Sequence, residues 1–336
     1  VHEALLYEKV AGDAVRCRLC NHYCTISPGK RGICAVRENR NGVLYSLVYG
    51  KVIAAQIDPI EKKPLYHVEP GSRSFSIATV GCNFRCKHCQ NHDIAQAPHH
   101  SSEIPGQITT PEQIVDAAAA AGCSSISYTY TEPTVFFEFA YDCARRAHER
   151  GIRNVFVSNG YTSPDATRMI APYLDANNID LKGDEHFYEK LSGARMQPVL
   201  DTIRLMKELG VWVEVTTLII PDWNDSETFL RRAADFLVSV DPGIPWHVTR
   251  FHPTHQLLDK PHTPAATLER ARQIGIAAGL KYVYEGNIPG SGGENTLCAS
   301  CGTILIERVG FAVKKISLRN GKCPACGTAL EGIALP

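Results

Sequence analysis

Phe75-Ser76-Ile77-Ala78-Thr79-Val80, followed after Gly81 by Cys82-Asn83-Phe84-Arg85-Cys86-Lys87-His88-Cys89, is the stretch on which the reading of this chain turns. The first run is apolar and β-branched, as a buried strand requires. The second carries three thiols spaced C-x3-C-x2-C in the loop that follows. A cubane iron–sulfur cluster takes one thiolate per iron, and ferredoxin motifs provide four. This loop provides three, and the next cysteine, Cys123, stands beyond a further loop and a helix pattern. A cluster on Cys82, Cys86 and Cys89 therefore leaves one iron open, and an open metal position is where chemistry takes place. The competing reading is a structural zinc site whose fourth ligand is His88, His92, His99 or His100. C-x3-C-x2-C alone is an uncommon zinc spacing, which favours the cluster.

The chain of 336 residues is long enough for one large domain with attachments, or for two domains. Its 35 basic residues balance 35 acidic ones, so no overall field draws it to nucleic acid or acidic lipid. No apolar run approaches the ~18 residues of a membrane span. The segment Val1 to Glu8 lacks the basic head and apolar core of a secretory leader. Of the thirteen cysteines, eleven fall into three ligand-like clusters. That pattern fits metal binding in a reducing cytoplasm better than disulfides outside the cell.

Residues 1–70 read as a cysteine-rich and hairpin unit. Cys17, Cys20, Cys24 and Cys34 lie among turn formers such as Ser27-Pro28-Gly29. Little apolar periodicity is available there, so a metal cross-link would supply the stability: structural zinc is the preferred reading and an accessory iron–sulfur cluster the other. Residues 43–57 read as a hairpin turning near Gly50-Lys51. Asp58 to His67 is bracketed by prolines and reads as an extended linker, with Lys62 and Lys63 either solvated or facing a substrate carboxylate.

From Phe75 to about Glu285 strand and helix patterns alternate, which argues for a parallel sheet. Strands are expected to begin near Phe75, Ser125, Arg153, Ala176, Val211, Trp246 and Lys281. Helices are expected over 111–121, 134–150, 164–173, 198–209, 226–239 and 264–278, with Thr110 and Thr263 as caps. Six or seven such units are too few to close an eight-stranded barrel. The expected fold is α/β, an open, partial (β/α)6 barrel over 71–290, with reactive residues at the carboxyl ends of its strands.

Those ends carry Thr131-Glu132-Pro133, Ser158-Asn159-Gly160, Asp180-Leu181-Lys182 and Phe251-His252-Pro253. Glu132 could accept hydrogen bonds from a ligand amine or cap the next helix. Asp180 and Lys182 share one strand face and could pair with each other or grip a ligand. Parity turns Glu214 and Thr216 toward the cavity. Cys143 lies on an apolar helical stripe, and Cys123 in a turn away from the chemistry. Finally, residues 291–336 hold Cys298-x2-Cys301-Gly302 and Cys323-x2-Cys326-Gly327 around strand patterns at Ile304–Ile306 and Phe311–Val313. Two such knuckles around a hairpin read as a zinc ribbon, with rubredoxin-type iron as the alternative.

The loop of Cys82, Cys86 and Cys89 after a strand resembles the radical S-adenosylmethionine (SAM) superfamily. The tetracysteine, the Asp58-Pro59-Ile60-Glu61-Lys62-Lys63-Pro64-Leu65 segment, the Thr-Glu-Pro element and the terminal ribbon together resemble the radical enzyme of the AmmeMemoRadiSam system. That family is related to pyruvate formate-lyase activase. The resemblance implies that SAM chelates the open iron and is split reductively to methionine and a 5′-deoxyadenosyl radical that takes a hydrogen atom from a substrate. It implies cofactor contacts at His88, Gln90, Thr131, Glu132, Asn159, Asp180, Lys182 and His252, with backbone near Ile219 against adenine. It further implies a low-potential donor of ferredoxin or flavodoxin type, and partners of Memo-like and Amme-type folds. Tyr130 and Thr131 replace the two glycines that usually precede the Glu-Pro pair. A non-enzymatic electron carrier or zinc-ribbon adaptor is the reading from a different class; it has no need of polar residues arranged at successive strand ends.

Overall fold

The computed structural model describes residues 1–336. Its main sheet contains β1 (Ala54–Pro59), β2 (Arg73–Ala78), β3 (Ser125–Tyr128), β4 (Arg153–Ser158), β5 (Ala176–Asp180), β6 (Trp212–Ile219), β7 (Trp246–Arg250) and β8 (Val283–Gly286). The spatial order is β8-β7-β6-β5-β4-β3-β2-β1, a linear array whose two end strands do not pair. Strands β2 to β8 are all parallel, and β1 is antiparallel to β2.

Six helices carry the chain between the parallel strands: α1 (Pro111–Ala120), α2 (Phe137–Glu149), α3 (Pro164–Ile170), α4 (Gln197–Glu208), α5 (Glu227–Val240) and α6 (Ala265–Ala278). They cover a sheet whose strands are buried on both faces, as parallel sheets demand; all residues of β3 are buried. The open (β/α)6 arrangement expected from the alternation is thus present, with a seventh parallel strand closing the series. Local chemistry explains the helix starts. Thr110 Oγ1 accepts from Gln113 N at 3.3 Å while Gln113 Oε1 accepts from Thr110 N at 2.9 Å, a reciprocal capping box. Thr263, expected to cap α6, does not. It is buried, donates to the Ile219 carbonyl at 2.5 Å and accepts from Phe251 N at 2.9 Å, tying two strand ends together.

Two expectations for the N-terminal region are corrected. No hairpin forms over 43–57: Val43–Ser46 pairs with Arg37–Arg40 and His2–Glu3, Lys51–Val52 pairs with Gln107–Ile108, and 54–59 joins the main sheet. Nor is 58–67 a solvated linker. Ile60, Leu65 and Val68 are buried against Val155 and Ala176. Lys63 is 2% exposed, its ammonium 2.6 Å from Asp58 and 4.5 Å over the Tyr130 ring. Burial pushes its pKa down to about 8. Lys62, more exposed, pairs with the other oxygen of Asp58 at 2.8 Å.

One apolar core of 57 buried residues runs from Val15, Leu19 and Val36 through Phe84 and Tyr161 to Trp246. Cys143 is buried in it, as its helical stripe implies, and so is Cys123. At the amino-terminal ends of the strands the C-terminal three-stranded ribbon (Thr296–Leu297, Ile304–Val309, Ala312–Ile316) packs through Leu305, Ile306 and Leu330 onto Tyr66, Tyr282 and Tyr284.

Candidate active site

Because β2 to β8 run in one direction, their carboxyl ends share one rim, and the three-cysteine loop rises there from β2. Its backbone is fixed from outside: Arg85 N and Lys87 N donate to the carbonyls of Ser192 and Leu191 at 2.9 Å, and Gln256 N donates to the Lys87 carbonyl at 2.9 Å. Burial pushes the three thiols up, Cys89 to about 11. Three thiolates in so dry a place require the positive charge of a metal. Two N–H donors already point at Cys82 Sγ, Phe84 N at 3.4 Å and Asn159 Nδ2 at 3.9 Å, the kind of hydrogen bond a cluster thiolate accepts. The residues fit an iron–sulfur cluster held at three corners.

Asn159, after β4, also donates through Nδ2 to Asn83 Oδ1 at 2.7 Å, and its Oδ1 is fixed by Tyr161 N at 3.0 Å. Glu132, after β3, is 1% exposed. Its Oε1 accepts from Thr134 N (3.0 Å), Thr134 Oγ1 (2.6 Å) and Ser158 Oγ (2.9 Å), and its Oε2 accepts from Asn159 N (2.8 Å). Three of the four donors converge on Oε1, and Oε2 keeps capacity for one more. Burial raises its pKa against these hydrogen bonds. Glu132 caps the turn at Thr134 and ties the ends of β3 and β4 together.

Thr131 donates through Oγ1 to the Thr79 carbonyl at 2.8 Å, pinning the turn after β3 to the loop entry. Tyr130, at one of the expected glycines, keeps a glycine-like backbone with φ of 63°. That conformation costs a non-glycine residue ~1 kcal/mol or more. It is held by the phenol, which donates to Asp58, and by the carbonyl, which accepts from Asn91 Nδ2 at 2.8 Å.

Lys182 Nζ lies 2.7 Å from Asp180, so the pair is joined. Burial disfavours the ammonium, but Asp180 and the neighbouring Cys86 outweigh it and hold the pKa above its ordinary value. The result is a fixed cation beside a cluster thiol. His88 is buried edge-on against Phe187 with ring centroids 5.4 Å apart, and its Nδ1 has no partner. Burial, then Lys182, pushes its pKa down to about 3, so it is neutral. Gln90 stands exposed beyond Cys89. His252 is set apart, with Nδ1 2.8 Å from Nδ1 of His262. His92 stacks on His255 at 4.2 Å. Glu214 lies deeper in the sheet than this rim, whereas Thr216 stands opposite Asp180 across β5 and β6. Glu214 is buried with His247 at 2.6 Å, and Thr216 donates to Asn178 at 2.9 Å.

Comparison with known proteins agrees with this arrangement. Residues 76–233 match the model of the radical SAM superfamily. That stretch, just under half of the chain, is a radical SAM domain. It is 48% identical over 334 residues to an uncharacterized protein of Methanocaldococcus jannaschii, covering 98% of this chain and 99% of that one. It is 22% identical over 176 residues to the pyruvate formate-lyase 1-activating enzyme of Escherichia coli, covering 50% of this chain and 69% of that enzyme. A radical SAM methyltransferase from Sphaerobacter thermophilus superposes with a TM-score of 0.51 at 17% identity, over 65% of this chain and 67% of that one.

Outside the radical SAM rim, the thiols of Cys298, Cys301, Cys323 and Cys326 lie within 4.8 Å of one another, compatible with a single metal ion. They are the one set of three or more metal-ligating side chains to converge so closely. The N-terminal four do not. Cys17, Cys20, Cys24 and Cys34 line one small space instead. None of His88, His92, His99 and His100 joins a converging set either. Residues that sequence reasoning missed are structural partners: Asn83, Asn91, Tyr188 and the Asp58–Lys63–Tyr130 group. Asn83 lies between two cysteines, but no spacing rule singles it out.

Proposed function

We propose that this protein is a radical SAM enzyme of the activase-like kind, acting on a protein or other macromolecular partner. The observation that carries the reading is the half-buried trio Cys82, Cys86 and Cys89, with N–H donors directed at the Cys82 sulfur, on the carboxyl rim of the parallel sheet. With a [4Fe–4S] cluster bound, one electron breaks the C5′–S bond of SAM, giving methionine and a 5′-deoxyadenosyl radical that takes a hydrogen atom from the substrate.

The chain's own residues bind, orient and keep water out. Lys182, held charged by Asp180, offers a cation to an anionic cofactor group at the cluster's edge. Asn159 and Phe84 hydrogen-bond the Cys82 sulfur and steady its charge. Glu132 fixes Asn159 from behind, and neutral His88 with Phe187 forms a dry wall that strengthens every electrostatic contact inside. Thr131, Gln90 and His252 stand on the cofactor side of this rim in the same reading. The resemblance of the tetracysteine, the 58–65 segment, the Thr-Glu-Pro element and the terminal ribbon to the radical enzyme of the AmmeMemoRadiSam system supports partners of Memo-like and Amme-type folds and an external donor of ferredoxin or flavodoxin type. The C-terminal knuckles are assigned to zinc and the protein to the cytoplasm.

The test is anaerobic reconstitution with iron and sulfide, then dithionite and SAM. The expected products are an electron-paramagnetic signal from a reduced cluster and 5′-deoxyadenosine, lost with Cys82→Ala, Cys86→Ala or Cys89→Ala. Unchanged 5′-deoxyadenosine in those variants defeats the proposal. A glycine-loop peptide that neither binds nor gains a glycyl radical removes the activase version alone.

A further inference from the structure

We infer that Cys17, Cys20, Cys24 and Cys34 hold a second iron–sulfur cluster, closed by four thiolates and seated against the three-cysteine loop. The four thiols line one small space together with His22, Arg37, Asn83 and Thr134. A single zinc draws its thiolates in at ~2.3 Å each, and so requires no cavity. The C-terminal quartet shows that geometry, with sulfur pairs at 3.5 and 3.6 Å. A cubane takes one thiolate per iron on sulfurs spread more widely than around a single ion, and this set supplies all four.

Two unsatisfied donors line the same space. Arg37 is 2% exposed, yet its Nε has no partner, although its other nitrogens bind Glu138 and the Leu5 carbonyl. Asn83 is 1% exposed, and its Nδ2 has no partner while its Oδ1 is used by Asn159. A buried N–H left unpaired is costly, and the natural acceptors here are the sulfides and thiolates of an anionic cluster.

Asn83 also gives the site its role. It directly follows Cys82, its carbonyl lies 2.8 Å from His22 Nε2, and its side chain lines the N-terminal cavity. The Cys20 loop clamps onto the β4 rim as well, through Asn21 Nδ2 to the Thr162 carbonyl at 2.8 Å and Ser163 N to the Leu19 carbonyl at 3.0 Å. A cluster with every corner occupied exchanges electrons and nothing else. One electron arrives from a low-potential donor of ferredoxin or flavodoxin type and leaves toward the loop site across Asn83, with no bond made and no proton moved. Only this role rests on the radical SAM reading; the metal assignment does not.

The test uses the full chain carrying Cys82→Ala, Cys86→Ala and Cys89→Ala together, reconstituted anaerobically. It should retain about four irons and four sulfides per chain, with a paramagnetic signal on reduction. Absence of iron from this triple variant, whatever its zinc content, overturns the inference. The complementary variant Cys17→Ser with Cys20→Ser should lose that signal and keep the loop cluster; if it fails to fold, the triple variant decides alone. Failure of the loop reading looks different, because wild type and triple variant would then bind equal iron.

Discussion

His67 shows at the scale of one residue how this protein keeps a titratable group neutral far from the chemistry. Its Nδ1 lies 2.6 Å from the Glu331 carbonyl, which can only accept, so Nδ1 carries the proton. Nε2, 2.6 Å from the Tyr284 hydroxyl, is then the acceptor, and that hydroxyl lies 2.9 Å from Thr296. Burial pushes the His67 pKa down to about 4, against the pull of Glu214. The unfolded chain, with a histidine near ~6.5, binds the extra proton first as pH falls. Stability therefore declines from pH 6.5 toward 4, by up to about 3 kcal/mol at ~1.4 kcal/mol per unit. His67→Gln keeps one donor and one acceptor but cannot titrate. Unfolding measured from pH 8 to 4 should show the wild type losing stability faster below 6.5, and parallel curves would contradict this assignment.

At the scale of the element, the cysteine loop depends on the glycine before it. Gly81 has φ of 101°, and a Cβ there would lie 2.6 Å from Val36 Cγ1, on the segment between the N-terminal cysteines and the sheet. Gly81→Ala should cost on the order of 1–3 kcal/mol and lower the iron held by Cys82, Cys86 and Cys89. Adding Val36→Ala relieves the collision but not the backbone strain, so stability and iron content should recover in part; full recovery would show that φ plays no role. Much at this scale is legible in the sequence. All seven parallel strands begin within two residues of where the alternation of patterns places them, because a strand buried on both faces writes its signal locally. Turn chemistry likewise announces α1 through Thr110 and Gln113. Partner choice does not show locally: 43–46 and 54–59 look like two arms of a hairpin, yet each finds a better neighbour elsewhere. Lys63 looks solvated because its compensation comes from Asp58 and from Tyr130, distant in sequence. Glu132 is legible as a residue at the rim, but two of its four donors, at Ser158 and Asn159, come from a segment that only the fold brings to it.

At the scale of the whole molecule the protein divides by strand polarity, with candidate metal chemistry on the carboxyl rim and a buried polar network on the amino rim. Arg308 belongs to the C-terminal ribbon but is fully buried in that second network. It lies 3.5 Å from Glu61, donates to Thr296 Oγ1 at 2.7 Å and to the Tyr66 carbonyl at 2.8 Å, and stacks 4.3 Å over the Tyr66 ring. Glu61 in turn accepts from Gly71 N at 2.9 Å. A buried ion pair adds little over an apolar replacement, because desolvation offsets attraction, but a lone buried charge is costly. Arg308→Met should therefore destabilise the protein by about 3–5 kcal/mol and expose the ribbon to proteolysis within 291–336. Arg308→Met combined with Glu61→Gln should be closer to wild type than Arg308→Met alone, since no unpaired charge remains. Denaturant unfolding and limited proteolysis of the three proteins check both statements. A double variant worse than either single would mean that Arg308 acts through its stacking on Tyr66 and its carbonyl contact, and that the ribbon is fastened by packing rather than by charge.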